Sequence, residues 1–143
     1  MAPIFPPQGP KDGKRFQALK REEREYLLFC LDFCSRILEI RPMHIEALEL
    51  AANHYTELGY YHDGLRLDER LLALKPDDPG ILYNLGCSLA LNGRPDDAIL
   101  TLSRAVRRGY LDYRHMATDH DLRSLRHEPR FRELLQLMES RAG

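Results

Sequence analysis

The feature that most constrains the fold is a helical hairpin pattern in residues 79–110. Asn92 and Gly93 end the first predicted helix, since both tolerate the left-handed backbone conformation that is common at helix C-termini. Pro95, followed by two aspartates, begins the second predicted helix. A connection this short predicts two antiparallel helices packed on each other. The apolar residues recur at steps of three and four, as in amphipathic helices: Leu82, Leu85, Leu89, Ile99, Leu102 and Val106.

This pattern recurs upstream at a fixed interval along the chain, which we call the repeat period. Pro42, Pro76 and Tyr110 are separated by one repeat period each, and Gly59 precedes Gly93 by the same interval. A helix–turn–helix unit that recurs every ~34 residues, as here, is typical of stacked helical repeats. The sequence therefore predicts an all-α fold. Three further pairs follow the period: Leu48 with Leu82, Ala52 with Gly86, and Leu65 with Ile99.

The second copy of the pattern resembles the tetratricopeptide repeat. The resemblance is carried by YNLG at residues 83–86 and then by Leu89, Gly93, Ala98, Leu102 and Ala105. The upstream copy, residues 45–78, has Gly64, Asp68 and Leu71 where the family usually has alanine, an aromatic residue and alanine. The resemblance implies tetratricopeptide-type hairpins stacked as a short right-handed solenoid. It does not name a function, because this scaffold serves many different partners.

The chain is long enough for one domain with a single core. Residues 1–13 are rich in proline and glycine and are predicted to be a disordered tail. Residues 14–40 contain no helix breaker, which predicts one N-terminal helix of about 27 residues, roughly 40 Å long. The alternative is a break near residues 21–24, which would make residues 14–41 a degenerate repeat. Two repeats, residues 45–78 and 79–112, and capping helices in residues 113–143 complete the organisation.

The C-terminal residues resemble the closing module of many bacterial tetratricopeptide arrays. The matching segment is DHDLRSLRHEPRFRELL, residues 119–135. Pro129 is predicted to begin a helix. Its expected apolar side consists of Phe131, Leu134, Leu135 and Met138. A terminal repeat also needs a polar outer side, which we expect from Arg130, Arg132, Glu133, Glu139 and Arg141.

Composition argues against several classes of function. The formal net charge is −1, and no basic stripe is present, so we expect no nucleic-acid binding. No apolar run reaches the length of about 18 residues that a spanning helix needs, so no membrane span is expected. The N-terminus lacks the charged and apolar regions of a signal peptide, so none is expected. Three cysteines, an odd number, favour reduced thiols and a cytoplasmic location.

No motif for catalysis is present. The sequence has no nucleophile motif, phosphate-binding loop or apolar carboxylate pair, so we predict that the protein is not an enzyme and uses no cofactor. The best metal candidate is the group His115, Asp119, His120 and Asp121. We instead expect the two aspartates to cap the short helix around Leu122 and both histidines to be solvated. No metal is therefore predicted.

The family resemblance implies a concave groove lined by the first helix of each repeat. Asn53 and Asn84 match the two asparagines of the carboxylate clamp in chaperone-binding members, and Arg114 matches its downstream basic position. Glu49 and Thr118 stand where the clamp has basic residues, so half of the clamp is absent. The implied groove residues are Glu46, Glu49, Asn53, Glu57, Tyr83, Asn84, Cys87, Leu91 and Arg114.

These residues predict a protein-interaction module, an adaptor or chaperone-like scaffold. Three glutamates beside Tyr83 and Leu91 would suit a peptide that carries a basic residue and an apolar anchor; a merely solvated acidic surface is the alternative. The second functional hypothesis is a structural subunit that forms a homodimer. It rests on residues 26–40, whose apolar side chains are spread around more than one face of the predicted helix. A metal-binding or enzyme accessory protein is the third hypothesis.

Overall fold

Residues 5–142 are described here from a computed structural model of the chain. The described residues form helices and contain no strand. Contacts divide the chain into two compact units, Met1–Leu74 and Lys75–Gly143. None of the described helices is both long enough and apolar enough to cross a membrane. The first unit contains α1 (Gly13–Ala18), α2 (Arg21–Ile40), α3 (Ile45–Glu57) and α4 (Tyr61–Leu74). The second contains α5 (Pro79–Leu91), α6 (Pro95–Arg107), α7 (Tyr113–Thr118), a 3-10 helix (His120–Leu125) and α8 (Pro129–Ala142).

Two helical hairpins, α3–α4 and α5–α6, recur at the interval expected from the sequence. Helices α3 and α5 begin one repeat period apart, and so do α4 and α6. The turn of each hairpin contains a glycine with positive φ, 92° at Gly59 and 72° at Gly93. Residues with a Cβ rarely adopt this conformation, so the glycines fix where each hairpin turns.

A repeated hydrogen bond also closes each hairpin. Arg70 in α4 donates to the backbone oxygen of Pro42 at 3.2 Å, and Arg104 in α6 donates to that of Pro76 at 2.8 Å. The two arginines are one repeat period apart, and so are the two prolines. Each arginine thereby joins the second helix of its hairpin to the segment that precedes the first.

The two first helices begin in equivalent ways. Asp78 accepts a hydrogen bond from the Ile81 backbone N–H at 3.0 Å, and Pro79 occupies the first turn of α5, as predicted. His44 takes the same place before α3 and accepts from the Ala47 backbone N–H at 3.2 Å. A side chain therefore caps one of the free N–H groups at each start.

Each unit has its own apolar core. In the first unit α3 packs against both α2 and α4, and in the second α5 packs against α6 and the 3-10 helix. The apolar side of α8 is largely buried, with Leu135 half-buried, and its predicted charged side is exposed. The largest side chains that are fully buried include Leu31, Leu48, Tyr55 and Leu67 in the first unit and Leu82, Leu102, Leu122, Leu125 and Phe131 in the second.

The N-terminal helix is interrupted, contrary to the single helix predicted over residues 14–40. Helix α1 ends at Ala18, and both Leu19 and Lys20 have extended backbones with ψ of 144° and 156°. The Glu23 side chain accepts from the Lys20 backbone N–H at 2.7 Å, which starts a new helix at Arg21. The alternative of a broken helix therefore fits better, and α2 ends one repeat period before α4 does.

Part of the predicted disordered tail is also ordered. The backbone N–H groups of Gln8 and Gly9 donate to the buried Asp63 carboxylate at 2.8 and 3.0 Å. Asp12 donates its backbone N–H to the Gly59 oxygen at 2.9 Å. Asp63 is far from both donors in sequence, so no local pattern predicted the contact. The first four residues of the predicted tail lie outside the described residues.

Candidate functional site

The four predicted groove residues of the first unit lie together on the outer side of α3. Glu46, Asn53 and Glu57 are exposed and Glu49 is half-buried. The opposite side of α3 is buried, which leaves these positions facing outward. We call the surface of Glu46, Glu49, Asn53 and Glu57 the acidic face. Leu50 lies on the same side of α3 as these residues. It is 42% exposed and adds an apolar contact point.

The acidic face has little internal compensation for its charge. His44 Nδ1 lies 3.6 Å from a Glu46 oxygen, and His54 Nδ1 lies 3.5 Å from a Glu57 oxygen. Within residues 5–142, no lysine or arginine forms an ion pair with Glu46, Glu49 or Glu57. The face can therefore attract a cationic ligand without first breaking a strong ion pair.

The groove positions predicted on α5 behave differently. Tyr83 and Cys87 are buried, with 4% and 7% exposure, so they present little surface to a peptide. The Tyr83 hydroxyl donates to Asp119 at 2.6 Å, and the Cys87 sulfur lies 3.7 Å from the same carboxylate oxygen. The Tyr83 ring stacks on Tyr110 with centroids 4.3 Å apart. The C-terminal segment of the same unit therefore occupies the contacts that the resemblance assigned to a partner.

This buried cluster is suited to holding the fold together rather than to catalysis. Burial is the main cause that raises the pKa of Tyr83 and Tyr110. Burial, followed by the nearby Asp119 charge, raises the pKa of the Cys87 thiol well above its ordinary value. A thiol kept protonated in this way is a poor nucleophile. The cluster is therefore a neutral set of tyrosines and a thiol around one carboxylate.

The other predicted groove residues of the second unit are accessible. Asn84 and Arg114 are exposed, and Leu91 is half-buried. Thr118, which stands at a basic position of the clamp, donates its hydroxyl to the Arg114 backbone oxygen at 2.7 Å. At two positions where the carboxylate clamp has basic residues, this chain thus has the neutral Thr118 and the acidic Glu49.

The metal candidate is accounted for by helix capping. Asp119 accepts from the Asp121 backbone N–H at 3.0 Å and so caps the 3-10 helix as predicted, whereas Asp121 lies within that helix and is not its cap. Its other oxygen lies 3.4 Å from His115 Nε2. His120 is exposed. Across the part of the chain that the structure describes, no group of three or more His, Cys, Asp or Glu residues is arranged to hold a metal ion.

One surface feature was not predicted from the sequence. Helices α6 and α8 border an open cleft of about 450 Å³ whose walls include the exposed Leu100 and Leu137. Arg107 and Arg141 contribute to the same walls. Leu100 and Leu137 lie on separate helices, so the sequence of either helix alone does not indicate that both line one cleft.

Comparison with known proteins leaves the chain unassigned to a family. It matches no protein-family profile and no curated protein sequence. The described residues form an all-helical protein whose two central hairpins are one repeat period apart.

Proposed function

We propose that this chain is a tetratricopeptide-type interaction module that binds a segment of a partner protein, as an adaptor or chaperone-like scaffold without catalytic activity. Support for the family comes from the regular helical interval, the turn glycines Gly59 and Gly93, and the repeated arginine–proline contacts. The described cysteines Cys30, Cys34 and Cys87 are all free, which supports a reducing, cytoplasmic setting.

The acidic face of α3 is the observation that carries the binding proposal. It combines three carboxylates that lack a lysine or arginine partner among residues 5–142 with the partly exposed Leu50. A ligand that fits this face is a peptide with one or more basic residues next to an apolar side chain. Leu50 replaces the buried Tyr83 as the expected contact for the apolar anchor.

Selection from a displayed random-peptide library tests this proposal, because it requires no named partner. We expect the wild-type protein to enrich peptides that contain lysine or arginine beside an apolar residue. A selected peptide should bind the triple variant Glu46→Gln, Glu49→Gln, Glu57→Gln about fivefold or more weakly, since exposed charge pairs contribute about 0.2–1 kcal/mol each. Fluorescence anisotropy with the labelled peptide measures this change.

A second triple variant serves as the matched control. Glu39, Glu69 and Glu139 are exposed and lie outside the acidic face, so their replacement by glutamine changes the net charge equally. This variant should bind the peptide as the wild type does. Equal weakening in both triple variants, or selected peptides without basic residues, would place the binding site elsewhere.

A further inference from the structure

Helix α2 exposes a continuous apolar stripe on the side that faces away from its own core. Tyr26, Phe29, Phe33 and Ile40 are 63%, 68%, 56% and 83% exposed, and Ile37 between them is half-buried. These five residues form the outer stripe. On the opposite side of α2, buried residues including Leu31 pack toward the rest of the first unit. At one end of the stripe the Tyr26 ring lies edge-on to His54 of α3, with ring centroids 6.4 Å apart, and the other stripe residues are exposed or half-buried.

The spacing of the outer stripe is symmetrical about its middle residue. Steps of three, four, four and three positions lead from Tyr26 to Ile40, with Phe33 at the centre. Two antiparallel α2 helices related by a twofold axis at Phe33 would place Tyr26 opposite Ile40 of the second copy and Phe29 opposite Ile37. Every apolar side chain then meets another apolar one. A twofold interface requires this kind of self-complementary patch.

In the same antiparallel pairing about Phe33, the shape of the stripe also fits that of the second copy. A shallow depression of about 260 Å³ is lined by Ile37, Ile40, Arg41 and His44. The twofold axis brings the exposed Tyr26 ring of the second copy to this depression. Ring and depression occur once in each copy, so the contact forms twice. Aromatic side chains that enter such depressions supply much of the energy of protein interfaces.

The charges beside the stripe are complementary as well. Glu23 precedes Arg41, the residue directly after α2, by about five turns at the α-helical repeat, so their Cα atoms lie on the same side of the stripe. In an antiparallel pair, residues on the same side of each helix face each other. Such a pair would bring Glu23, one carboxylate oxygen of which accepts from the Lys20 backbone N–H, near Arg41 of the second copy at each end of the stripe.

The exposed apolar area also matches what an interface needs. The three aromatic side chains alone expose on the order of 300–400 Å², if each offers about 200 Å² in full. A monomer rarely leaves an apolar patch larger than about 300–600 Å² in water, and Ile40 and Met43 extend this one. The aromatic side chains alone therefore supply roughly half of the ~800 Å² per partner of a standard interface.

We infer that the outer stripe of α2 is the interface of a homodimer with its twofold axis at Phe33. The occupant of this face is a second copy of the chain, and the acidic face on α3 stays free for the partner segment. The two surfaces adjoin where the Tyr26 ring contacts His54. Phe33, at the proposed twofold axis, lies about two helical turns from Tyr26, so it can be replaced without changing the acidic face.

A charge-swap experiment at the twofold axis tests the inference. Phe33→Glu and Phe33→Lys each place two like charges opposite each other, so each variant should be monomeric in sedimentation equilibrium at concentrations where the wild type is a dimer. An equimolar mixture of the two variants pairs glutamate with lysine and should recover the dimer. Phe33 is 56% exposed, so both variants should keep the wild-type helical circular dichroism.

A matched control separates this interface from general hydrophobic association. Leu111 is 80% exposed and lies outside α2, so Leu111→Glu should leave the dimer unchanged. Both Phe33 variants should retain wild-type affinity for a peptide selected on the acidic face. A monomeric wild type, a Phe33→Glu variant that remains dimeric, or a mixture that stays monomeric would each overturn the inference.

Discussion

At the scale of single residues, close packing explains where the small side chains stand. A Cβ added to Gly86 would lie 2.6 and 2.7 Å from Cδ2 and Cγ of Leu102, inside normal contact distance. At Gly64, where tetratricopeptide repeats usually have alanine, a Cβ would clash with the Thr56 hydroxyl oxygen. In both hairpins a neighbouring side chain from the other helix fills the space above the glycine.

Replacement of Gly86 by leucine should therefore destabilise the second unit. The larger side chain has to displace Leu102, and overpacking of this kind costs about 1–3 kcal/mol or more. Urea denaturation followed by circular dichroism measures the loss. Asn84→Leu introduces the same side chain at an exposed position of α5 and should change the free energy of unfolding by about 0.5 kcal/mol or less. A Gly86→Leu variant as stable as the wild type would contradict the observed helix contact.

Whether a single residue could be predicted depended on how local its environment is. The turn glycines and the capping role of Asp78 and Asp119 follow from neighbours within a few positions, and the sequence predicted them. The burial of Tyr83 and Cys87 depends on Asp119, which belongs to a much later segment of the chain. A repeat pattern assigns both residues to the predicted groove side of α5 but carries no information about a later segment that covers them.

At the scale of elements, the N-terminal segment illustrates the same limit. The absence of a helix breaker in residues 26–40 correctly indicated a helix, and α2 ends where the predicted one ends. The interruption at Leu19 and Lys20 was missed because neither residue is a glycine or proline. The interruption follows from two interactions. The Glu23 side chain caps the start of α2, and the Asp12 backbone N–H donates to Gly59 in the α3–α4 turn.

The hydrogen bonds that the Asp12 carboxylate accepts should make the stability of the first unit depend on pH in a defined direction. The hydrogen bond from the Tyr61 hydroxyl, followed by the Arg15 backbone N–H, lowers the pKa of Asp12 below its ordinary value of 3.8. A carboxyl with a lowered pKa stabilises the fold above the unfolded pKa, and this stabilisation is lost as pH falls through the folded pKa. We expect the wild type to be more stable than Asp12→Asn near pH 6.

This advantage should shrink as the pH falls below 3.8, since asparagine does not titrate. Chemical denaturation of both proteins between pH 6 and pH 2.5 checks the trend. Glu39→Gln, at an exposed site on α2, controls for the general effect of removing a carboxylate. A stability difference between wild type and Asp12→Asn that stays constant over the whole range would show that the ionised carboxylate is not what holds the segment.

At the scale of the whole molecule, charge is unevenly distributed along the chain. Residues 42–78 carry three basic and eight acidic side chains, whereas residues 79–110 carry four basic and two acidic ones. Several arginines of the second segment are already paired, since Arg94 lies 2.9 Å from Asp97 and Arg108 lies 3.2 Å from Asp77. The overall net charge is only −1, although the first hairpin is acidic and its α3 carboxylates remain available to a basic ligand.

This distribution leads to a prediction about salt. Binding of a basic peptide to the acidic face should weaken steadily as the salt concentration rises from 20 to 500 mM, because the screening length falls from about 20 Å to about 4 Å. The Glu46, Glu49, Glu57→Gln variant should bind with a flatter salt dependence at an unchanged melting temperature, since it loses surface charges and no core contact. Anisotropy titrations at five salt concentrations give both slopes.

The Glu39, Glu69, Glu139→Gln control decides whether the local face or the overall charge is responsible. It carries the same net charge as the first variant but keeps all three carboxylates of α3. Local recognition therefore predicts that its slope equals that of the wild type. If the two triple variants instead show the same reduced slope, the peptide responds to the net charge of the whole molecule, and α3 is not its binding surface.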